Sequence, residues 1–249
     1  SGDWSYSLTS NNLSDIGQGS GKSITATQID TAGNTGTSTP FSFTVDTVQP
    51  TVAITSIGGN DATVSSDSAD QSVVGTAEAG ASVSIKFGSI TLGTATANAN
   101  GVWTYTLTSN NLSDIGQGSG KSITASQTDA AGNTGTSNSF SFSVDTVAPT
   151  VAITAVGGND STISSQNADN TVVGTAEANR LVTIKFGDHE LGSTMAAANG
   201  TWTYTLTNNN LILINQGGGK SVTASQTDAA GNTTLSSPFT FSVDTLSPY

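Results

Sequence analysis

The tryptophans of this chain recur at a fixed step of 99 residues, because Trp4, Trp103 and Trp202 begin the strings WSYSLT, WTYTLT and WTYTLT. Two sets of aspartates keep the same step: Asp46, Asp145 and Asp244 in VDT, and Asp30, Asp129 and Asp228 before AGN. A fixed period of this length is typical of an array of one domain rather than of a single large fold. We therefore expect function to reside in the repeat and in the joint between repeats.

The period predicts three segments in the 249 residues. Residues 1–47 match only the C-terminal half of a repeat, with the last three of its seven strands (E to G). Residues 48–146 form a complete repeat, and 147–249 form a second complete repeat with the start of the next linker. A domain of this size can bury its own core, but half of one cannot. We interpret the chain as a window cut from a longer periodic filament. Completion of residues 1–47 by another copy is the alternative.

Composition narrows the classes of function. The chain has 18 acidic and 6 basic residues and no cysteine, which argues against nucleic acid and anionic lipid as partners and fits cation binding or simple solubility. Disulfides and thiolate chemistry are excluded, and no apolar run approaches the roughly 20 residues of a membrane span.

A catalytic function has little support in the sequence. His189 is the only histidine, and its counterpart one repeat earlier is Ile90. No Ser/His/Asp set recurs and no phosphate-binding glycine loop opens a helix. We therefore expect that the protein is not an enzyme.

Runs of alternating apolar and polar residues predict an all-β fold. In the middle repeat they predict seven short strands, A to G, separated by turns rich in Gly, Asn, Asp and Ser. These strands are 51–55, 72–76, 82–87, 92–97, 102–108, 121–127 and 139–144. Seven antiparallel strands in about 100 residues indicate an immunoglobulin-like (Ig-like) β-sandwich, and their repetition indicates a linear array of such sandwiches. The repeated tryptophan is interpreted as a core residue.

This topology brings recurring acids together at each joint. The end of strand G leaves the bottom of one domain, while the B–C and F–G turns lie at the top of the next. The two predicted sets are Asp46, Glu78 and Asp129, and Asp145, Glu177 and Asp228. Carboxylates that converge without a basic partner favour a divalent cation, and all-oxygen ligands favour Ca²⁺. With one histidine and no cysteine, zinc is disfavoured.

Further residues belong to the predicted cation sites. Asn133 and Asn232 could add carbonyl oxygens or shape their turns, and Asp30 and Asp244 are the counterparts of the ligands in the outer repeats. The long A–B connections supply acids for a second site at the bottom of each domain: Asp61, Asp70, Asp160 and Asp169. The alternative is structural, since Asp-x-x-Gly-Asn is also a good turn sequence without any metal.

A cation at the joint has a mechanical consequence. The five-residue linker TVAPT leaves hinge motion free unless a contact crosses it. Extracellular calcium modules typically bind at roughly 0.1–1 mM, so such sites fill outside cells and empty inside. We expect a stiff array in calcium and a more flexible one without it.

Four strings carry a family resemblance: GTAEAGASVSI, ANGTWTYTLT, TASQTDAAGNT and VDTVAPTVAIT. They resemble the tandem bacterial Ig-like repeats of giant adhesins and biofilm-associated proteins over the whole chain. The resemblance implies export by type I secretion, a place at the bacterial cell surface or in the biofilm matrix, and calcium between domains. The third repeat departs from the pattern at LILINQGGG and at Asn179-Arg180.

The resemblance implies a structural extender that displays a distal adhesive tip. Its implied partners are neighbouring repeats of the same chain and other copies in a filament or matrix, with no nucleic acid and no membrane insertion of this segment. One alternative is a ligand-binding module, for glycan or ice, that uses the threonine-rich strand faces. Another is an accessory Ig-like region of a secreted enzyme or a phage fibre.

Overall fold

The computed structural model describes residues 2–165 and 169–246. The last three residues of the predicted third repeat, including the start of its following linker, lie outside the described residues. No helix in the described part of the chain is long and apolar enough to span a membrane.

The N-terminal half repeat forms two small antiparallel pairs. Its elements are α1 (Ser10–Ile16), β1 (Gly19–Ile24), β2 (Thr27–Ile29), β3 (Thr35–Thr37) and β4 (Phe41–Val45). Strand β1 pairs with β4, and β2 pairs with β3. The expected strand E at WSYSLT is not formed: residues 2–9 contain no strand. In the complete repeats this strand pairs with strand B, which residues 1–47 lack.

The middle repeat has strands in two sheets. The elements are β5 (Ala53–Ile57), β6 (Thr63–Val64), β7 (Ser72–Thr76), β8 (Ser82–Phe87), β9 (Ile90–Thr96), β10 (Val102–Thr106), α2 (Ser109–Ile115), β11 (Gly118–Thr128), β12 (Thr134–Thr136) and β13 (Phe140–Val144). One sheet has the order β10-β7-β5 and the other β6-β13-β11-β8-β9, with β12 paired to β11. All seven predicted strands are present.

The third repeat has the same strand order. Its elements are β14 (Ala152–Val156), β15 (Thr162–Ile163), β16 (Thr171–Thr175), β17 (Leu181–Phe186), β18 (His189–Met195), β19 (Thr201–Thr205), α3 (Asn208–Ile214), β20 (Gly217–Thr227), β21 (Thr233–Leu235) and β22 (Phe239–Val243). The sheets run β14-β16-β19 and β15-β22-β20-β17-β18, with β21 on β20. The predicted tandem Ig-like β-sandwiches are confirmed.

The repeated tryptophan is a core residue, as predicted. Trp103 is 1% exposed and Trp202 is 2% exposed, and neither indole N–H has a hydrogen-bond partner among the described residues. Trp202 lies directly opposite Gly174 in the β16–β19 pair. A Cβ at Gly174 would approach the indole ring to 2.3 Å, so glycine makes room for the ring in strand B.

Three elements of each complete repeat were not predicted, and one of them is the short strand paired with strand F, β12 in the middle repeat and β21 in the third. The E–F connection contains a seven-residue helix, where the sequence predicted only a turn. A capping box explains its start, because Asn111 N donates to Thr108 Oγ1 and Thr108 N donates to Asn111 Oδ1. In addition, the A–B connection contributes a short strand that runs parallel to strand G.

The contacts of the chain divide it into two units. The first comprises Ser1–Thr55, Val74–Tyr105 and Ile123–Phe140, and the second comprises Ser56–Val73, Thr106–Ser122 and Ser141–Tyr249. The division passes through the middle repeat rather than through a linker. Each joint between repeats therefore lies inside one unit, and each is described separately below.

In a polypeptide of these 249 residues, Trp4 is 75% exposed and should be accessible to solvent. In a chain that carries W103F and W202F, we expect Trp4 emission at long wavelength with strong acrylamide quenching. A chain that carries W4F should instead show blue-shifted, protected emission. Protected emission from Trp4 would contradict the open half repeat and would indicate that another copy completes it.

Candidate inter-repeat joint

The F–G turn has the same internal bonding in every repeat. In the third repeat, Asp228 Oδ1 accepts from Ala230 N and Asn232 N, both at 2.9 Å, and Asp228 Oδ2 accepts from Asn232 Nδ2 at 2.8 Å. Asp129 and Asp30 accept the corresponding bonds in the other two repeats. The aspartate therefore holds a compact turn, as the structural alternative predicted.

At the first joint, this turn contacts the end of the preceding strand G. Asn133 Nδ2 donates to the backbone carbonyl oxygen of Asp46 at 3.1 Å. The carboxylate of Asp46 accepts from Val48 N at 3.1 Å, within the linker itself. The predicted pair of Asp46 and the F–G turn is thus brought together, but through the Asp46 backbone rather than its carboxylate.

At the second joint, the equivalent asparagine, Asn232, makes two contacts with the preceding repeat. Asn232 Nδ2 donates to the carbonyl oxygen of Asp145 at 2.9 Å, and Asn232 Oδ1 accepts from Ser66 N at 2.7 Å. The Asn232 side chain is buried, with 1% of its surface exposed. Asp145 N donates to Val64 O at 2.9 Å, which ties the same strand end to the A–B connection.

The two predicted glutamate ligands bind a neighbouring glutamine. Glu78 Oε2 accepts from Gln127 Nε2 at 2.7 Å, and Glu78 N donates to Gln127 Oε1 at 3.1 Å. Glu177 contacts Gln226 through its backbone: Glu177 N donates to Gln226 Oε1 at 2.8 Å, and the carbonyl oxygen of Glu177 accepts from Gln226 Nε2 at 3.0 Å. Both glutamines are buried, so each fixes its B–C turn to strand F.

The acids of the A–B connections have structural partners. Asp61 and Asp160 accept from Thr63 N and Thr162 N, each at 2.9 Å. Asp70 Oδ2 accepts from the hydroxyl of Ser65 at 2.6 Å, and Asp169 has the matching partner in Ser164. A Cβ at Gly231 would lie 3.9 Å from Asp70 Oδ2, which places this acid at the second joint rather than at a separate site.

The predicted carboxylates do not converge on one point in the described arrangement. In residues 2–165 and 169–246, no group of three or more His, Asp or Glu side chains could hold a metal ion. Asn133 and Asn232 present amide N–H groups, not carbonyl oxygens, to the oxygens of the turn and the strand end. Asp244 Oδ1 accepts a hydrogen bond from Leu246 N at 3.3 Å. Calcium and its ligand set stay a prediction.

With this geometry established, comparison with known proteins identifies the class of domain. The model of the bacterial Ig domain family matches residues 60–144 and 158–244, which together exceed half of the chain. The chain therefore belongs to the bacterial Ig domain family, with two tandem copies. No curated protein has a significant sequence match.

Three solved structures are similar to the chain. One, from a study of host cell surface retention of a 1.5-MDa bacterial ice-binding adhesin, is 24% identical over 98% of this chain and 80% of that one, with a TM-score of 0.42. A biofilm-associated protein BSP domain is 18% identical over 80% and 30% of the two chains, with a TM-score of 0.29. A bacterial Ig-like domain of the M. primoryensis ice-binding adhesin is 27% identical over 39% and 98%, also at 0.29. Because all three scores are below 0.5, the assignment depends on the family match.

The pKa of Asp129 tests the turn directly. The side-chain hydrogen bond from Asn133, assisted by backbone N–H groups, lowers the pKa of Asp129 below its usual value of 3.8. A lowered folded-state pKa stabilises the fold above the unfolded pKa, and this contribution is lost as the pH falls through the folded value. We expect an NMR titration to show a low pKa for Asp129 that rises in N133A. An unchanged pKa would show that the Asn133 bond is absent.

The first linker also contacts the F–G hairpin at a glycine. A Cβ at Gly135 would lie 1.8 Å from the carbonyl oxygen of Pro50, whereas the counterpart Gly36 has no neighbour within 4 Å. G135A should therefore lower stability by about 1–3 kcal/mol, in the range of overpacked sites, and G36A should change it by less than about 0.5 kcal/mol. Thermal unfolding of both variants checks this, and equal effects would mean that the linker does not lie against Gly135.

Proposed function

We propose that this chain is a structural extender segment of a bacterial cell-surface adhesin or biofilm matrix protein. In this role the repeats hold a distal binding domain away from the cell, and each repeat contributes length. The observation that carries the proposal is the joint that occurs twice in the chain. At each joint, the asparagine of an F–G turn donates a hydrogen bond to the end of strand G of the preceding repeat.

Several features support a spacer over a binding module. The two complete repeats have the same strand order and the same buried tryptophan. Their chain lengths are equal at the 99-residue step, so neither repeat carries a long unique loop that could form a binding site. Membership of the bacterial Ig domain family agrees with a tandem module. His189 is exposed on the β17–β18 hairpin, and the proposal involves no catalysis.

The location and export route are parts of the same proposal. An extender acts outside the cell, so we propose an extracellular place at the cell surface or in the biofilm matrix. Type I secretion is the route that the resemblance implies. The absence of cysteine means that the repeats fold without disulfide-forming machinery, which supports export by such a route.

Calcium at the joints is not needed for this proposal. The carboxylate oxygens of Asp228 already accept three N–H bonds, and the amide nitrogen of Asn232 points to the carbonyl oxygen of Asp145. Stiffening by calcium therefore stays a separate prediction, to be tested by whether chelation lowers the melting temperature.

A spacer exchange on a cell surface tests the extender function. The chain is displayed between an anchor and a tip of known ligand, with one, two or three complete repeats, and tip accessibility is measured with ligand-coated beads. An unrelated rigid repeat of matched length serves as the control spacer. We expect bead capture to depend on length and not on which spacer is used. Capture that is lost on exchange at constant length would show that the repeats themselves bind, as the ligand-binding alternative predicts.

A further inference from the structure

The three F–G turns differ in what their asparagine contacts outside the turn. Asn34 is exposed and, in the described part of the chain, bonds only within its own turn. Asn133 is half-buried and adds one bond, to Asp46 O. Asn232 is buried and adds two, to Asp145 O and from Ser66 N. Of the two asparagines whose preceding repeat is present, the one with more contacts to that repeat, Asn232, is the more buried.

The side-chain amide of Asn232 has a hydrogen-bond partner for each of its two donors and for its acceptor. A primary amide has two N–H donors and one carbonyl acceptor. The two donors of Asn232 go to Asp228 Oδ2 and Asp145 O, which only accept, and its oxygen receives the N–H of Ser66. Exchanging the amide oxygen and nitrogen would place oxygen against two acceptors and N–H against N–H. The network therefore fixes the orientation of the amide.

The two outside contacts hold different parts of the preceding repeat. Asp145, 87 residues before Asn232, follows the end of strand G and begins the linker. Ser66, 166 residues before Asn232, lies in the A–B connection. A single hydrogen bond leaves rotation about itself free. Two bonds to separate backbone points restrict rotation of the strand end against the turn.

We propose that Asn232 is an amide clasp that positions strand G and the A–B connection of the preceding repeat on its own F–G turn, without a bound cation. Asn133 makes one of the two contacts of this clasp, the hydrogen bond to the end of strand G of the preceding repeat. The inference rests on the proposed extender function, because it explains how a joint of an extender keeps its direction. It goes further by naming the positioning residue and its partners.

A clasp and a cation place opposite demands on position 232. A cation between Asp228 and Asp145 O would need oxygen from residue 232, and an N–H group there would be repelled. N232D keeps an acceptor for Ser66 N but cannot donate to the two oxygens when ionised. The clasp is therefore broken in N232D, whereas a calcium site would gain a ligand.

Amide hydrogen exchange at Ser66 is the readout, because this residue lies in a different repeat from the substitution. The full chain is measured in EDTA and in about 10 mM calcium, above the range of extracellular calcium modules. In EDTA we expect N232A, which removes the acceptor of Ser66 N, to speed Ser66 exchange about tenfold, the size expected for one lost hydrogen bond. N232D keeps that acceptor and loses only the two donors, so it should speed Ser66 exchange less than N232A does. N34A breaks the same turn without these contacts and should leave Ser66 unchanged.

A second variant covers the case in which N232A unfolds the third repeat, as judged from Trp202 emission. S66P removes the donor from the other side and leaves Asn232 in place, so it should shift the Asn232 side-chain amide resonances while Trp202 emission stays the same. Unshifted resonances in S66P would overturn the clasp.

The calcium arm separates the remaining outcomes. Ser66 protection that is absent in EDTA and restored by calcium in the wild type would overturn the proposal and favour the cation. Failure of the extender function would appear in the spacer exchange, with Ser66 protection intact. The two failures are therefore distinguishable.

Discussion

A buried amide must have partners for both of its donors and for its acceptor, and Asn232 finds them in two different repeats. This requirement organises the joint. The turn aspartate holds the asparagine, the asparagine holds the strand end, and the strand end is held by the A–B connection through Val64 and Asp145. The direction of one repeat is thereby coupled to the internal hydrogen bonding of the next.

The core and the joint follow different rules. Each core of the two complete repeats depends on closing two sheets over a buried tryptophan, Trp103 in one repeat and Trp202 in the other. The joint depends on a few polar groups at the ends of strands. Loss of a joint contact should therefore leave a sandwich intact, which is the property that a chain of independent modules requires.

The sequence predicted the sheets better than the joints. Strands B and C were predicted with the bounds that the structure shows, because alternation reports directly which face of a strand is buried. The helix at Ser109–Ile115 was not predicted, because its seven residues show no apolar periodicity and its start depends on the Thr108–Asn111 capping box. The sequence placed the acids in turns and at strand ends, but it did not predict the hydrogen-bond partners of their turns. No local pattern shows that Asn232 presents nitrogen rather than oxygen to Asp145, since its partners lie 87 and 166 residues away.

The most direct test of the clasp is an anomalous difference map of the second joint, from crystals grown with calcium. The account predicts no anomalous peak between Asp228 and the carbonyl oxygen of Asp145, with the Asn232 amide nitrogen near 2.9 Å from that oxygen and its carbonyl oxygen bonded to Ser66 N. A calcium peak ligated by Asp228 and by the Asn232 carbonyl oxygen, with the Ser66 contact broken, would contradict it.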